Sequence, residues 1–101
     1  MIDVFAIYAT PADPAAFNRH YEQVHAPLTE AMPGLVEFTW GHGDSADAFV
    51  IARMTFQSAV DVEAAFTSPE GKAAAADLDN FAGAGVQLIT VSRHNPAEAV
   101  Q

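Results

Sequence analysis

A chain of 101 residues, half of them hydrophobic, has room for one domain with a real core. Four Lys and Arg against thirteen Asp and Glu give a formal charge of −9. That balance argues against nucleic-acid backbones and anionic membranes as partners, because both need basic patches. The lack of cysteine removes disulfides, thiolate nucleophiles and zinc–thiolate sites. With no basic leader, no long apolar leader core and no run of about 20 apolar residues, the expectation is a soluble cytoplasmic protein.

Residues 2–9 read as a strand, with Val4, Phe5, Ile7 and Tyr8 β-prone. A turn at 10–14 leads into a helix over 14–26, where Asp13 is a good N-cap and Pro14 suits the first helical position. Phe17, Tyr21, Val24 and Leu28 recur at i, i+4, i+7 and i+11 and predict its core-facing stripe. At about 100° per residue, His25 falls roughly 40° from Tyr21 on one flank and His20 roughly 40° from Val24 on the other. Pro27 disfavours helical geometry at Ala26. This places His25 in or next to the last turn, where the helix dipole favours the protonated imidazole.

Pro33-Gly34 breaks the chain, and a second strand is expected over 35–42. A polar turn at 43–47 leads to a third strand at 48–56. Ser58 caps a second helix, with Asp61 at the capping-box position. Ser68-Pro69-Glu70 is a fresh helix start, so that helix should break near Thr67, and the run Ala73–Ala76 is strongly helix-forming. Gly83 and Gly85 precede a last strand at 86–92. The domain is expected over 1–95, with a loose tail at 96–101.

The order β-α-β-β-α-β predicts an α+β, ferredoxin-like protomer: a four-stranded antiparallel sheet with helices on one face. The other face of such a sheet should be polar in a monomer. Here Phe5 and Ile7 oppose Val4, Ala6 and Tyr8 in the first strand; Phe49 and Ile51 oppose Val50, Ala52 and Met54 in the third. Two apolar faces need two covers, so a homodimer packed through its sheet faces is predicted.

The chain resembles the EthD-like family of the dimeric α+β barrel superfamily, and the resemblance covers nearly all of it. It rests on Tyr8, Pro11, Asp13 and Phe17, and most on Tyr21 with His25-Ala26-Pro27-Leu28, followed by Pro33-Gly34. Phe56, Ala64-Ala65-Phe66, Ser68-Pro69-Glu70-Gly71 and Asp77-Leu78-Asp79-Asn80-Phe81 fit its second half. The resemblance implies protomers pairing into a β-barrel, each with a cleft between helices and sheet. It does not imply one activity: relatives include an accessory protein of ether degradation, lactone isomerases and cofactor-free enzymes of polyketide chemistry. In the enzyme-like relatives the histidine of the H-x-P-L motif, here His25, is the residue expected in the active site.

His25 is read two ways, as a general acid/base in the cleft tuned by Tyr21 or a nearby carboxylate, or as a residue that bonds a carbonyl and ends the helix. Tyr21 is either core or a donor to a substrate carbonyl or enolate. Tyr8, Trp40, His42 and Phe81 are candidate substrate contacts, with a dimer or sheet contact as the alternative for Tyr8, Trp40 and His42. His20 lies five residues from His25, a spacing that points two helical imidazoles roughly 140° apart, so no metal site is expected. Asp77 and Asp79 read as an acid pair or as a solvated helix end. No nucleophile motif, G-x-G-x-x-G or P-loop occurs, and no cofactor is expected. The leading reading is a proton-transfer isomerase, lyase or cyclase acting on a small hydrophobic carbonyl or ring compound. The alternatives are a non-catalytic accessory or ligand-binding dimer of a degradation pathway and, behind it, a haem-binding or oxygenase-type barrel.

Overall fold

The computed structural model describes residues 1–94. The predicted domain end at 95 and the tail at 96–101 lie outside the described residues. Strands β1 (Ile2–Tyr8), β2 (Glu37–Ser45), β3 (Ala48–Phe56) and β4 (Val86–Ser92) form one sheet in the order β2-β3-β1-β4. Every neighbouring pair is antiparallel, the ferredoxin-like arrangement that the element order predicts. Helices α1 (Pro14–His20), α2 (Ala26–Glu30), α3 (Ala59–Thr67) and α4 (Pro69–Phe81) accompany it.

Period-two alternation sets the two faces. Val4, Ala6 and Tyr8 of β1 and Val50, Ala52, Met54 and Phe56 of β3 form the core with Phe17, Tyr21 and Ala65 from the helices. On the opposite face lie Phe5 and Ile7, with Ile51, Ile89 and Val91 more than a third exposed. That face also carries a polar corner. Buried Asp3 accepts hydrogen bonds from Arg93 (2.7 and 3.0 Å) and Thr55 (2.7 Å). The Arg93 bonds outweigh the cost of burial and hold the Asp3 carboxyl down at about 2.

Three local expectations change. The second strand starts two residues late and runs on to Ser45, with a register shift between His42 and Ser45. Beside that irregularity the Phe49 ring packs on Phe17 and His42, on the helix side, instead of joining Ile51. The first helix does not end at Ala26: a π-helical turn, Tyr21–His25, carries it into α2, with Ala26 fully helical and its N–H bonded to the Tyr21 carbonyl. The i→i−5 bond adds a residue to that turn. Val24 is therefore 40% exposed, while Phe17, Tyr21, His25 and Thr29 form the inward stripe.

Candidate active site

The π-helical turn, β1 and α4 converge on one buried group of side chains. Asp13 caps α1 by accepting from the Ala16 N–H (3.1 Å), and the added residue of the π turn swings His25 into the core. Opposite it, Ser68 caps α4 by accepting from the Gly71 N–H (3.0 Å). Gly71, Ala74 and Asp77 form the buried face of α4. Asp77 Oδ2 lies 3.0 Å from His25 Nδ1, and the Tyr8 hydroxyl lies 3.2 Å from His25 Nε2. His20 Nε2 reaches the same carboxylate at 2.9 and 3.0 Å, and the Asn80 amide donates to it at 3.0 Å. Tyr8, His25 and Asp77 are each at most 5% exposed.

The charges in this group follow from burial and bonding. Burial pushes the Asp77 pKa up, but the hydrogen bonds from Asn80, His20 and His25 outweigh it and leave the carboxyl below its ordinary range. An ionised carboxylate only accepts, so His25 Nδ1 carries the proton it donates to Asp77. Burial dominates at His25 and lowers its pKa from 6.5, even though Asp77 pulls the other way. The expected helix-dipole effect is absent because the helix continues beyond His25, and desolvation favours the neutral ring. Burial also raises the pKa of Tyr8 and Tyr21 far above 10, with nearby Asp77 adding to it at Tyr8. Both phenols stay protonated, so Tyr8 donates its O–H to the His25 Nε2 lone pair.

His25 sits in the wall of an almost wholly apolar cavity of about 90 Å³ between the helices and the sheet. Tyr8, Tyr21, Ala52, Phe66 and Leu78 share the lining, and exposed Leu88 marks its mouth. Of the predicted site residues, the structure brings His25, Tyr21 and Tyr8 together at this cavity. Trp40 stands behind Tyr21 (ring centroids 4.7 Å). His42 lies farther out on the sheet, bonded to the Asn18 side chain at 2.8 Å. Phe81 packs on His25 (4.7 Å) and Tyr8 (5.7 Å) and does not line this cavity.

The tuning carboxylate is Asp77, while Glu22 is exposed. Asp77 forms no pair with Asp79, which is exposed. Its signal in the sequence is an acid on the stripe Gly71, Ala74, Asp77, Phe81, where an apolar residue is expected. His20 and His25 meet one carboxylate after all, because the π turn changes the angle between them. Among the described residues no group of three or more His, Asp or Glu is placed to hold a metal ion, and no helix is long and apolar enough to cross a membrane.

A four-stranded antiparallel sheet with helices on one face puts the protein in the ferredoxin-like α+β fold class. Residues 9–85 match the EthD domain family. The chain is 43% identical over 94 residues to an uncharacterized 11.0 kDa protein from the thcB–thcC intergenic region of Rhodococcus erythropolis, covering 88% of this chain and 91% of that one. The protein belongs to the EthD domain family. Its fold is similar to the crystal structure of an ethyl tert-butyl ether D (EthD) family protein from Bacillus halodurans C-125, with a TM-score of 0.88 and 28% identity over 93% of this chain and 99% of that one. It is also similar to a dimeric ferredoxin-like protein of unknown function from Thermobifida fusca YX, with a TM-score of 0.73 and 12% identity over 91% of this chain and 90% of that one.

Proposed function

We propose that the protein is a proton-transfer enzyme of the isomerase, lyase or cyclase type, acting on a small hydrophobic carbonyl or ring compound held between helices and sheet. The observation that carries this reading is the chain Asp77–His25–Tyr8 at the wall of an apolar cavity. The Asp77 carboxylate fixes the Nδ1–H tautomer and would stabilise the imidazolium formed when Nε2 takes a proton. A substrate carbonyl would draw the Tyr8 O–H away from Nε2. That exposes the lone pair to the carbon next to the carbonyl, while the phenol donates to the developing enolate oxygen. Tyr21 shapes the cavity beside them. Trp40 and Phe81 hold the two tyrosines in place, and His42 marks the outer end of the cleft.

The test is deuterium exchange at the α-carbon of small cyclic ketones and lactones in D2O, followed by NMR. Wild type should catalyse exchange, and His25→Ala should lose about 100-fold or more, within the range a positioned general base supplies. Equal exchange by the two proteins contradicts the reading. The second reading, a non-catalytic ligand-binding protein of a degradation pathway, is supported by both His25 nitrogens already having partners within the protein. On that reading His25→Ala lowers stability and no exchange is seen.

We infer that the working unit is a homodimer joined through the outer sheet face. The exposure of Ile51, Ile89 and Val91 there and the dimeric state of the Thermobifida fusca neighbour support this.

A further inference from the structure

Asp77 bonds a lining residue of each of two voids, His25 of one and His20 of the other. The inner one, beside His25, holds about 90 Å³. The outer one is a groove of about 650 Å³ between the start of α1 and the end of α4, within the range of roughly 300–1,000 Å³ usual for small-molecule sites. Phe17 and Phe81 (ring centroids 5.1 Å) give it an aromatic wall, and Phe81 stacks on His20 at 5.0 Å.

Its polar side chains are His20, Asn80, Asp13 and Asp79, in which acceptors predominate. The Nε2–H tautomer of His20, which donates to Asp77, carries its lone pair on Nδ1. Asn80 commits one amide N–H to Asp77 and keeps the other, along with its carbonyl oxygen. Asp79 adds a carboxylate, and no Lys or Arg lines the groove. A carboxylate or phosphate ligand would meet the carboxylates of Asp13 and Asp79 with no Lys or Arg to offset them. A hydroxylated ring would find partners for its O–H groups and an aromatic surface for its face.

We propose that this groove is a second binding site, for a neutral ring compound that donates hydrogen bonds (a phenol or catechol), with its hydroxyl received by His20 and its ring against Phe17 and Phe81. The site stands apart from the chemistry proposed at His25. Asp77 orients His20 as it orients His25, so one carboxylate serves both voids.

Titration of 15N-labelled protein with catechol and with 1,2-dimethoxybenzene, which has the same ring and no donor, tests this by NMR. Catechol should give saturable amide shifts at Ala12, Ala16, His20 and Ala84. The dimethoxy compound should bind at least about tenfold more weakly, as should catechol to His20→Phe; tenfold corresponds to about 1.4 kcal/mol. Three results would overturn the proposal: catechol shifts centred on Ala6, Ala52 and Leu88, equal binding of the two probes, or unchanged affinity in a folded His20→Phe protein. The two-probe comparison needs no variant. The His25-dependent α-exchange, read on the same protein, fails or succeeds separately.

Discussion

At the scale of single residues, the site turns on Asp77. Two imidazoles and an amide converge on a carboxylate whose pKa burial alone would raise, and their donors hold it below its ordinary range. His25 pays for its burial by staying neutral. The unfolded chain therefore takes up a proton near pH 6.5, before folded His25 does, so the stability that neutral His25 contributes is complete above pH 6.5 and is lost as pH falls below it. Urea denaturation at a series of pH values should show stability declining below pH 6.5 in wild type, with a shallower decline in His25→Gln; parallel curves would contradict it. His25 was legible as a candidate site residue from its motif and its place beside the apolar stripe. Its partners were not, because Tyr8 and Asp77 come from elements far apart in sequence, and only tertiary packing brings them to the ring.

At the scale of elements, caps and breakers mark most boundaries in the sequence. Asp13-Pro14, Ser58 and Ser68-Pro69 start helices where they are predicted, and β3 and β4 match residue for residue. The π turn was not legible: periodicity at 3.6 residues per turn selects Val24 and Leu28 for the core, whereas the added residue selects His25 and Thr29. Rejecting helical geometry at Ala26 on account of Pro27 failed for a related reason, since the helix continues through the proline after the π turn. Gly71 shows what holds α3 against α4. A Cβ built there would lie 2.1 Å from the Ala65 carbonyl oxygen and 2.8 Å from Phe66 Cα, both backbone atoms that move only with α3. Gly71→Ala should therefore cost about 1–3 kcal/mol, the usual range for overpacking, seen as an earlier denaturation midpoint. An unchanged midpoint would show that the two helices part freely.

At the scale of the whole molecule, the alternation of β1 and β3 made the ferredoxin-like sheet and its second apolar face readable from sequence. A helix-covered face and an open face bearing Phe5, Ile7, Ile51, Ile89 and Val91 follow from the same period. Isoleucines and valine more than a third exposed form a patch of the kind that marks an interaction surface. Light scattering on the eluted protein should give twice the 10.7 kDa of one chain. Ile51→Lys should shift it toward a single chain while the helical signal remains. A wild-type mass of one chain at micromolar concentration would contradict the sheet-face dimer.

The central claim is that His25 is a neutral imidazole, its proton on Nδ1 facing Asp77 and its Nε2 lone pair accepting from the Tyr8 hydroxyl at the cavity wall. Long-range 1H–15N spectra of protein labelled at histidine nitrogens read that state directly. The account predicts the neutral Nδ1–H form of His25 at pH 7, persisting below pH 6.5, with a still lower pKa in Asp77→Asn, where the favourable charge is gone. An imidazolium at pH 7, or a proton on Nε2, would contradict it.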